Sequence, residues 1–234
     1  GAGPTGVTLG LLLARRGVRT LVIDKEADIY PLPRAAHIDH ETVRIFQELG
    51  VANEIMATCR PVARYDFLTA KGDILLRFEG ADRIGPGGWA ASNMVHQPSI
   101  EAALRRAAVN QTDFELRAGV RFQSCTEDDG GVRSVIANAD GETTIRSRYL
   151  VGADGARSPV RTAAIIDVDD LRFDEPWLVI DTLVQDASRL PTANLQICDP
   201  ARPTTCVLMG AGRAWHVSLP SGAVIDLGPV ALPT

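Results

Sequence analysis

The order of apolar and polar positions predicts a helix, a strand and a second helix in the first 50 residues. PTGVTLGLLLARRG (4–17) starts with a proline, has an apolar side, and closes with two arginines and a glycine, which is typical of a helix and its end. VRTLVID (18–24) is a short apolar run that predicts a buried strand. DHETVRIFQELG (39–50) predicts a helix between an aspartate N-cap and a glycine stop, after a proline-rich irregular stretch.

Further along the chain, strand patterns come to dominate. Residues 64–78 alternate around a Lys-Gly-Asp turn and predict a hairpin. QPSIEAALRRAAV (97–109) predicts a third helix, with Pro98 at its first position. Several strand-like segments separated by turns follow, the last of them TTIRSRYLVGAD (143–154), and the pattern becomes β-rich and loses helical periodicity near residue 165. We therefore predict an α/β fold: an incomplete Rossmann-like domain over 1–165, interrupted by a hairpin insertion at about 60–95, and a partial β-rich domain over 166–234.

Composition narrows the class of protein. The net charge is −5 and no stretch concentrates lysine and arginine, which argues against a nucleic-acid surface. No run of 18 apolar residues or signal peptide is recognisable, so no membrane span is expected. The four cysteines have no CxxC or metal-like spacing, which predicts free thiols, no metal site and a cytoplasmic location.

The chain opens with GAGPTG, the pattern of a dinucleotide-binding loop. Gly1 would make the tight turn, Gly3 would let the backbone approach a pyrophosphate, and Gly6 would let the helix pack on the sheet. Asp24 closes the next strand, where a carboxylate can accept both hydroxyls of a ribose. Ordinary turn glycines and a surface aspartate are the alternative. The loop itself does not separate NAD from FAD, but the absence of further βα units favours FAD.

A second stretch, LVGADGARSPVR (150–161), resembles the Asp-Gly fingerprint of single-component flavoprotein monooxygenases. Together with GAGPTG, the strand-end acid, PLPRA and HQPSIEAAL, it gives the chain a resemblance to the para-hydroxybenzoate hydroxylase fold. The segments PRAAHIDHETVRIFQELG, FDEPWLVID and CDPARP resemble 3-(3-hydroxyphenyl)propionate hydroxylase-like enzymes most. The resemblance covers roughly residues 1–215 and makes the first predicted domain FAD-binding, with the hairpin on the side of the substrate domain.

The resemblance implies a role for individual residues. The loop glycines, with Pro4 and Thr5, would cradle the FAD pyrophosphate, and Asp24, followed by Lys25, would lie at the adenosine ribose. Arg34 would reach the phosphate and ribitol region, where a guanidinium fork suits phosphate. A solvated loop arginine is the alternative for Arg34.

Two further residues complete the implied cofactor site. Gln97 would bond the ribitol side, since its amide offers both a donor and an acceptor, or it would serve only as a helix-cap partner. Asp154 would bond near the pyrophosphate and ribose, in a motif also implicated in nicotinamide handling, or it would only form a turn.

The implied activity is hydroxylation of a phenolic or related aromatic compound, with FAD as cofactor, NADH or NADPH as co-substrate and O2 as oxidant. The cofactor would carry the chemistry, so no acid–base dyad and no particular catalytic residue is expected. A non-catalytic flavoprotein fragment that binds FAD weakly or not at all is one alternative, and an FAD-dependent reductase or dehydrogenase of the same fold is another. The resemblance is compatible with a homodimer.

Two segments typical of this family are missing from the sequence. No strand precedes Gly1, and the later Gly-Asp motif of the family has no counterpart, because Gly72-Asp73 lies in the predicted hairpin. We therefore expect the chain to be truncated at both ends. The substrate and the choice between NADH and NADPH do not follow from the sequence.

Overall fold

A computed structural model describes residues 1–172, 177–183, 191–209 and 214–220. The helices are α1 (Pro4–Ala14), α2 (His40–Glu48), α3 (Ala52–Met56), α4 (Gln97–Ala108) and α5 (Pro159–Ala163). The strands are β1 (Thr20–Asp24), β2 (His37–Asp39), β3 (Arg60–Pro61), β4 (Arg64–Leu68), β5 (Ile74–Glu79), β6 (Ser92–Met94), β7 (Phe114–Ala118), β8 (Arg121–Asp128), β9 (Gly131–Asn138), β10 (Gly141–Ser147), β11 (Trp177–Leu183), β12 (Asn194–Ile197), β13 (Thr204–Leu208) and β14 (Ala214–Pro220).

The strand after the glycine loop belongs to a parallel pair. Strand β1 lies beside β7 in register from Thr20 opposite Phe114 to Asp24 opposite Ala118. Helices α1 and α4 pack together over this pair, and their buried side chains form one apolar core with those of α2 and α3. The α/β class predicted from the sequence is confirmed. Because the chain reverses direction between α1 and β1, the end of β1 lies at the start of α1, where Asp24 accepts the N–H of Ala2.

Local signals at the helix ends act as the sequence predicts. Asp39 caps α2, because its carboxylate accepts the backbone N–H of Thr42 at 2.8 Å. Beyond α1, Gly17 has a φ of +74° and donates its N–H to Ala14 at 2.9 Å, while Val18 donates to the Leu13 carbonyl at 3.1 Å. This left-handed glycine completes a Schellman ending, a conformation that other residues adopt only with strain.

The predicted hairpin is present and joins the β-rich part of the chain. In the described residues, β11, β14, β13, β12, β4 and β5 form one sheet in that order. Strand β12 runs parallel to β4, and β5 lies at the edge. Two smaller sheets have the orders β10-β9-β8 and β2-β6-β3. The hairpin and the strands beyond residue 172 thus share backbone hydrogen bonds, and residues 221–234 of the predicted second domain lie outside the described residues.

The structure corrects the sequence-based prediction at four places. Residues 150–153, expected to be a strand, form no ladder with any described strand, so their backbone groups are not paired in a sheet. Strand β2 lies in the stretch expected to be irregular, because His37 pairs with Met94 of β6. Helix α3 was not predicted, since five residues are too few to show a helical period. Helix α4 begins one residue before Pro98.

In the part of the chain that the structure describes, every helix is too short or too polar to cross a bilayer. Cys59, Cys125, Cys198 and Cys206 all carry free thiols. Burial raises the pKa of the Cys59 and Cys206 thiols to about 11, which keeps them protonated at neutral pH.

Candidate cofactor site

The glycine loop presents free backbone donors at the start of α1. Gly3 is the N-cap with extended backbone, and no side chain caps the helix. The first intrahelical bond that follows runs from the Val7 N–H to the Gly3 carbonyl at 3.1 Å. The N–H groups of Thr5 and Gly6 therefore have no intrahelical acceptor, and Pro4 has no N–H to satisfy. This end of the helix dipole is positive and suits an anion.

The glycines of the loop differ in the space around them. A Cβ on Gly6 would lie 1.9 Å from the Gly1 carbonyl oxygen, and one on Gly1 would lie 2.2 Å from the Ala153 carbonyl oxygen. A Cβ on Gly3 would meet nothing within 4 Å. Gly1 and Gly6 are thus required by backbone packing, whereas the space beside Gly3 is open at the free N–H groups.

Asp24 lies at the end of β1 and holds the glycine loop. Its Oδ2 accepts the backbone N–H of Ala2 at 2.6 Å, and its Oδ1 accepts that of Glu26 at 2.9 Å. Each carboxylate oxygen can accept more than one hydrogen bond. The half-buried carboxylate can therefore position the loop and still accept a hydroxyl. Lys25, beside it, is exposed and lies 3.6 Å from Glu26 in a surface ion pair of little energetic weight.

Arg34 has an exposed guanidinium on a tethered backbone. The guanidinium lies over the ring of Tyr30 at 5.2 Å from the centroid, and it takes part in no ion pair among the described residues. Its backbone N–H donates to Gln97 Oε1 at 3.2 Å, and the N–H of Ala35 donates to the same oxygen at 2.8 Å. The cation is thus available to a ligand while its main chain is fixed.

Gln97 is buried and its amide is largely occupied by protein groups. Besides accepting two N–H groups, it donates from Nε2 to Oε1 of Glu101 at 2.7 Å. Its relative exposure is 6%, and that of Glu101 is 4%. Glu101 was not among the residues singled out from the sequence. The i, i+4 spacing of Gln97 and Glu101 on one helix was the signal that could have found it.

Asp154 lies against the glycine loop. A Cβ on Gly1 would lie 3.0 Å from the Asp154 Cα, so the Asp-Gly motif and the loop are in contact. Asp154 Oδ2 accepts the N–H of Val160 at 3.1 Å, near the start of α5. Burial opposes ionisation of Asp154, but hydrogen bonds from the Ser158 side chain and from Val160 outweigh it, so its pKa lies below its usual value. A carboxylate is therefore fixed beside the loop at neutral pH.

The proposed residues fall into two groups in space. Gly1, Gly6, Asp24 and Asp154 are linked to one another through backbone contacts or hydrogen bonds around the start of α1. Arg34 and Gln97 form a second group at the start of α4, and α4 packs on α1. No hydrogen bond between described residues joins the two groups.

Comparison with known proteins relates the chain to FAD-binding proteins. A family model described as "FAD binding domain" matches residues 1–216. A probable NADH-specific resorcinol 4-hydroxylase of Rhodococcus jostii (strain RHA1) is 38% identical over 213 residues, which are 90% of this chain and 40% of that protein. A 3-(3-hydroxy-phenyl)propionate/3-hydroxycinnamic acid hydroxylase of Comamonas testosteroni is 33% identical over 87% of this chain and 34% of its own length. The chain thus spans about two-fifths or less of these curated relatives.

Solved structures have the same fold. The flavin-dependent monooxygenase PieE, in complex with FAD and substrate, matches 97% of this chain and 43% of its own, with a TM-score of 0.81 and 26% identity. The p-nitrophenol 4-monooxygenase PnpA of Pseudomonas putida DLL-E4 matches 97% of this chain and 57% of its own, with a TM-score of 0.87 and 18% identity. The second likeness, at its low identity, concerns the fold alone.

Proposed function

The chain belongs to the FAD binding domain family, and from that premise we propose that it is the cofactor-binding part of an FAD-dependent aromatic hydroxylase. The observation that carries the proposal is the contact between the glycine loop and the Asp-Gly motif. Near that contact, the N–H groups of Thr5 and Gly6 have no intrahelical acceptor, and Asp24 and Asp154 lie against Ala2 and Gly1 of the loop. A dinucleotide has a pyrophosphate that can accept from the N–H groups and ribose hydroxyls that can donate to the carboxylates.

The glycine loop fits a pyrophosphate. In this proposal the N–H groups of Thr5 and Gly6 donate to phosphate oxygens, and the missing side chain of Gly3 lets the phosphate reach them. Pro4 contributes by starting the helix without adding a donor. Gly1 contributes by allowing Ala153 to pack against the loop.

The carboxylates fit the sugar hydroxyls. Asp24 would accept from the adenosine ribose with the capacity left after its two backbone hydrogen bonds. Lys25 would lie next to that ribose as an exposed cation. Asp154, ionised at neutral pH, would accept from a hydroxyl near the pyrophosphate. Because its negative charge would repel a phosphate oxygen, we assign Asp154 to a sugar hydroxyl.

Arg34 and Gln97, at the start of α4, fit the ribitol side of the cofactor. Arg34 would pair its guanidinium with the phosphate or ribitol oxygens. Gln97 has one amide hydrogen left after its bond to Glu101, and this hydrogen is available to the ribitol side. Most of its hydrogen-bonding capacity is used within the protein, so its principal contribution is to hold the backbone at Arg34.

We extend the proposal to the rest of the reaction. When bound, FAD supplies electron transfer from NADH or NADPH and the activation of O2. The chain's own residues orient the cofactor and hold its charged groups. Residues 1–165 would form the cofactor unit, and the hairpin would belong with the β-rich residues 166–234, as the shared six-stranded sheet supports. The substrate would be a phenolic ring, the class named for both curated relatives.

The reaction is tested by isotope incorporation. The purified chain is incubated with FAD, NADH or NADPH, and either resorcinol or 3-(3-hydroxyphenyl)propionate under 18O2. One 18O atom in the aromatic product supports hydroxylation. Oxidation of the nicotinamide with 18O recovered only in hydrogen peroxide, and none in the aromatic compound, supports a reductase instead. Bound flavin without either reaction limits the chain to cofactor binding. Light scattering tests the homodimer in the same sample, at about twice the 25.1 kDa chain mass.

A further inference from the structure

Glu101 is a buried carboxylate to which the cofactor assignment gives no role. It is 4% exposed and lies one helical turn after Gln97 on α4. A carboxylate is seldom buried without a partner, because its transfer from water is costly. Its partner here is the amide of Gln97, whose Nε2 lies 2.7 Å from Glu101 Oε1.

The chemistry of the neighbours fixes the orientation of the Gln97 amide. On one side lie two backbone N–H groups, of Arg34 and Ala35, which can only donate. On the other side lies the Glu101 carboxylate, which accepts when ionised. Only one of the two amide orientations satisfies both sides, with the carbonyl toward the loop and the NH2 toward Glu101.

Few other contacts between described residues hold the main chain at Arg34. The next tie along the chain is the Ala36 carbonyl, which accepts the N–H of Val95 at 2.9 Å before β2 begins. The Arg34 side chain itself is exposed and lies over the Tyr30 ring. The position of Arg34 therefore depends on which way the Gln97 amide points.

We propose that Glu101 is a positioning residue for the cofactor: it orients the Gln97 amide, and that amide holds the backbone of Arg34 where its guanidinium meets FAD. The ligand in this statement rests on the proposed function, because only FAD binding gives Arg34 its role. The chain of hydrogen bonds from Glu101 to the loop does not depend on a ligand. It can thus be tested in the absence of FAD.

The test is the rate of trypsin cleavage after Arg34 in the folded chain without FAD. The N–H of the peptide bond between Arg34 and Ala35 donates to Gln97, so loss of that contact frees the bond for the protease. The bond after Lys71, in the exposed turn of the β4–β5 hairpin, is the internal control, since it lies outside the network. Mass spectrometry follows the two cleavages in one sample.

Four variants separate the hydrogen bond from simple packing. Glu101→Gln keeps an acceptor for Gln97, and we expect cleavage within about twofold of wild type, whereas Glu101→Leu removes the acceptor at similar volume and raises cleavage after Arg34 about tenfold. Gln97→Glu sets two carboxylates against each other and has the same effect. The double exchange of Gln97→Glu with Glu101→Gln directs a carboxylate at the loop N–H groups and an amide donor at that carboxylate. It returns the rate to near wild type.

The outcomes are distinct. Unchanged cleavage after Arg34 in Glu101→Leu overturns the proposal, and so does a rise that occurs equally after Lys71 or that the double exchange fails to reverse. FAD affinity, from quenching of flavin fluorescence, is measured on the same proteins and should follow the cleavage rates, about tenfold weaker in Glu101→Leu. Failure of the wild-type chain to bind FAD rejects the proposed function alone, since the cleavage rates still decide whether Glu101 positions the loop.

Discussion

Gly1 and Ala153 lie in direct contact, so that a Cβ on Gly1 would come 2.2 Å from the Ala153 carbonyl oxygen. This contact joins two motifs that are far apart in the sequence, the glycine loop and the Asp-Gly segment. It places Asp154 beside Gly1, in the loop that leads into α1. The testable consequences of the structure concern this contact, the loop at Arg34, and the ion pair between the buried Asp66 on β4 and Arg77 on β5.

Gly3→Ser separates cofactor binding from stability. A serine is a favoured N-cap, and its hydroxyl can accept from the N–H groups that Gly3 leaves free. We expect the melting temperature of the chain without FAD to stay the same or rise slightly, while the Kd for FAD rises about tenfold or more. Thermal unfolding and a flavin fluorescence titration measure the two effects. Equal FAD affinity in the variant and the wild type would show that the cofactor does not use these groups.

Gly6→Ala is the comparison variant for Gly3→Ser, because it disturbs the packing of the glycine loop itself. Its new Cβ would overlap the Gly1 carbonyl oxygen at 1.9 Å, a backbone atom that cannot move without displacing Ala153. Alanine favours a helix by about 1 kcal/mol over glycine, but this gain does not offset the overlap. We expect both a lower melting temperature and weaker FAD binding. A melting temperature equal to that of wild type would contradict the described packing of the loop.

Substitution of Arg34 should affect the ligand and leave the fold intact. The guanidinium is exposed and forms no ion pair among the described residues, so Arg34→Gln should unfold at the wild-type temperature. Its Kd for FAD should rise about ten- to a hundredfold, because a charge-assisted contact is worth roughly 1.5–3 kcal/mol. Arg34→Lys, which keeps the charge and loses the fork, should lie between the two. Isothermal titration of FAD orders the three proteins, and identical affinities would exclude a contact with Arg34.

The ionisation of Asp66 should make the free energy of unfolding depend on pH. It is buried on β4, and Arg77 Nε lies 2.7 Å from its Oδ1. The hydrogen bond from Arg77, together with the charges of Arg64 and Arg77, outweighs burial and lowers the pKa of Asp66. The ionised form therefore stabilises the fold at any pH above the unfolded-state pKa of about 3.9, and this contribution is lost as the pH falls through the lower folded-state pKa.

The measurement is the free energy of unfolding in urea at several pH values. Between about pH 5 and pH 3 the wild type should lose more stability than Asp66→Asn, which has no proton to take up at this position. Above about pH 5 the variant should be less stable by about 1–2 kcal/mol, because Arg77 keeps only one weaker acceptor. Parallel pH profiles for the two proteins would show that Asp66 is not the group responsible.

The parts of the fold that follow from sequence are those with local signals. The Schellman glycine after α1, the Asp39 cap of α2 and the turn of the β4–β5 hairpin are each specified within a few residues, and the structure confirms all three. Strand β2 could not be predicted in the same way. It exists because Met94, distant in the sequence, supplies its backbone partner.

In the candidate site, too, the features with a local sequence signal could be predicted and those that depend on distant residues could not. Glycines and an acid at fixed spacing are enough to indicate a dinucleotide loop. That Asp24 also anchors Ala2, and that Gln97 commits its amide to the Arg34 backbone and to Glu101, depends on where the chain returns in space. The residue types indicate which hydrogen bonds each side chain can form, but they do not indicate which group of the folded chain will be its partner. The ribitol role of Gln97 therefore stays a prediction beside a structural role that is directly visible.

The central claim is that this chain holds FAD at the glycine loop, and the visible spectrum tests it most directly. The purified chain and its Gly3→Ser variant are incubated with FAD and desalted, and flavin and protein absorbance are compared. The account predicts flavin retained at close to one per chain in the wild type, with bands shifted from those of free FAD, and much less in the variant. A colourless wild-type protein, or equal retention in both, would contradict it.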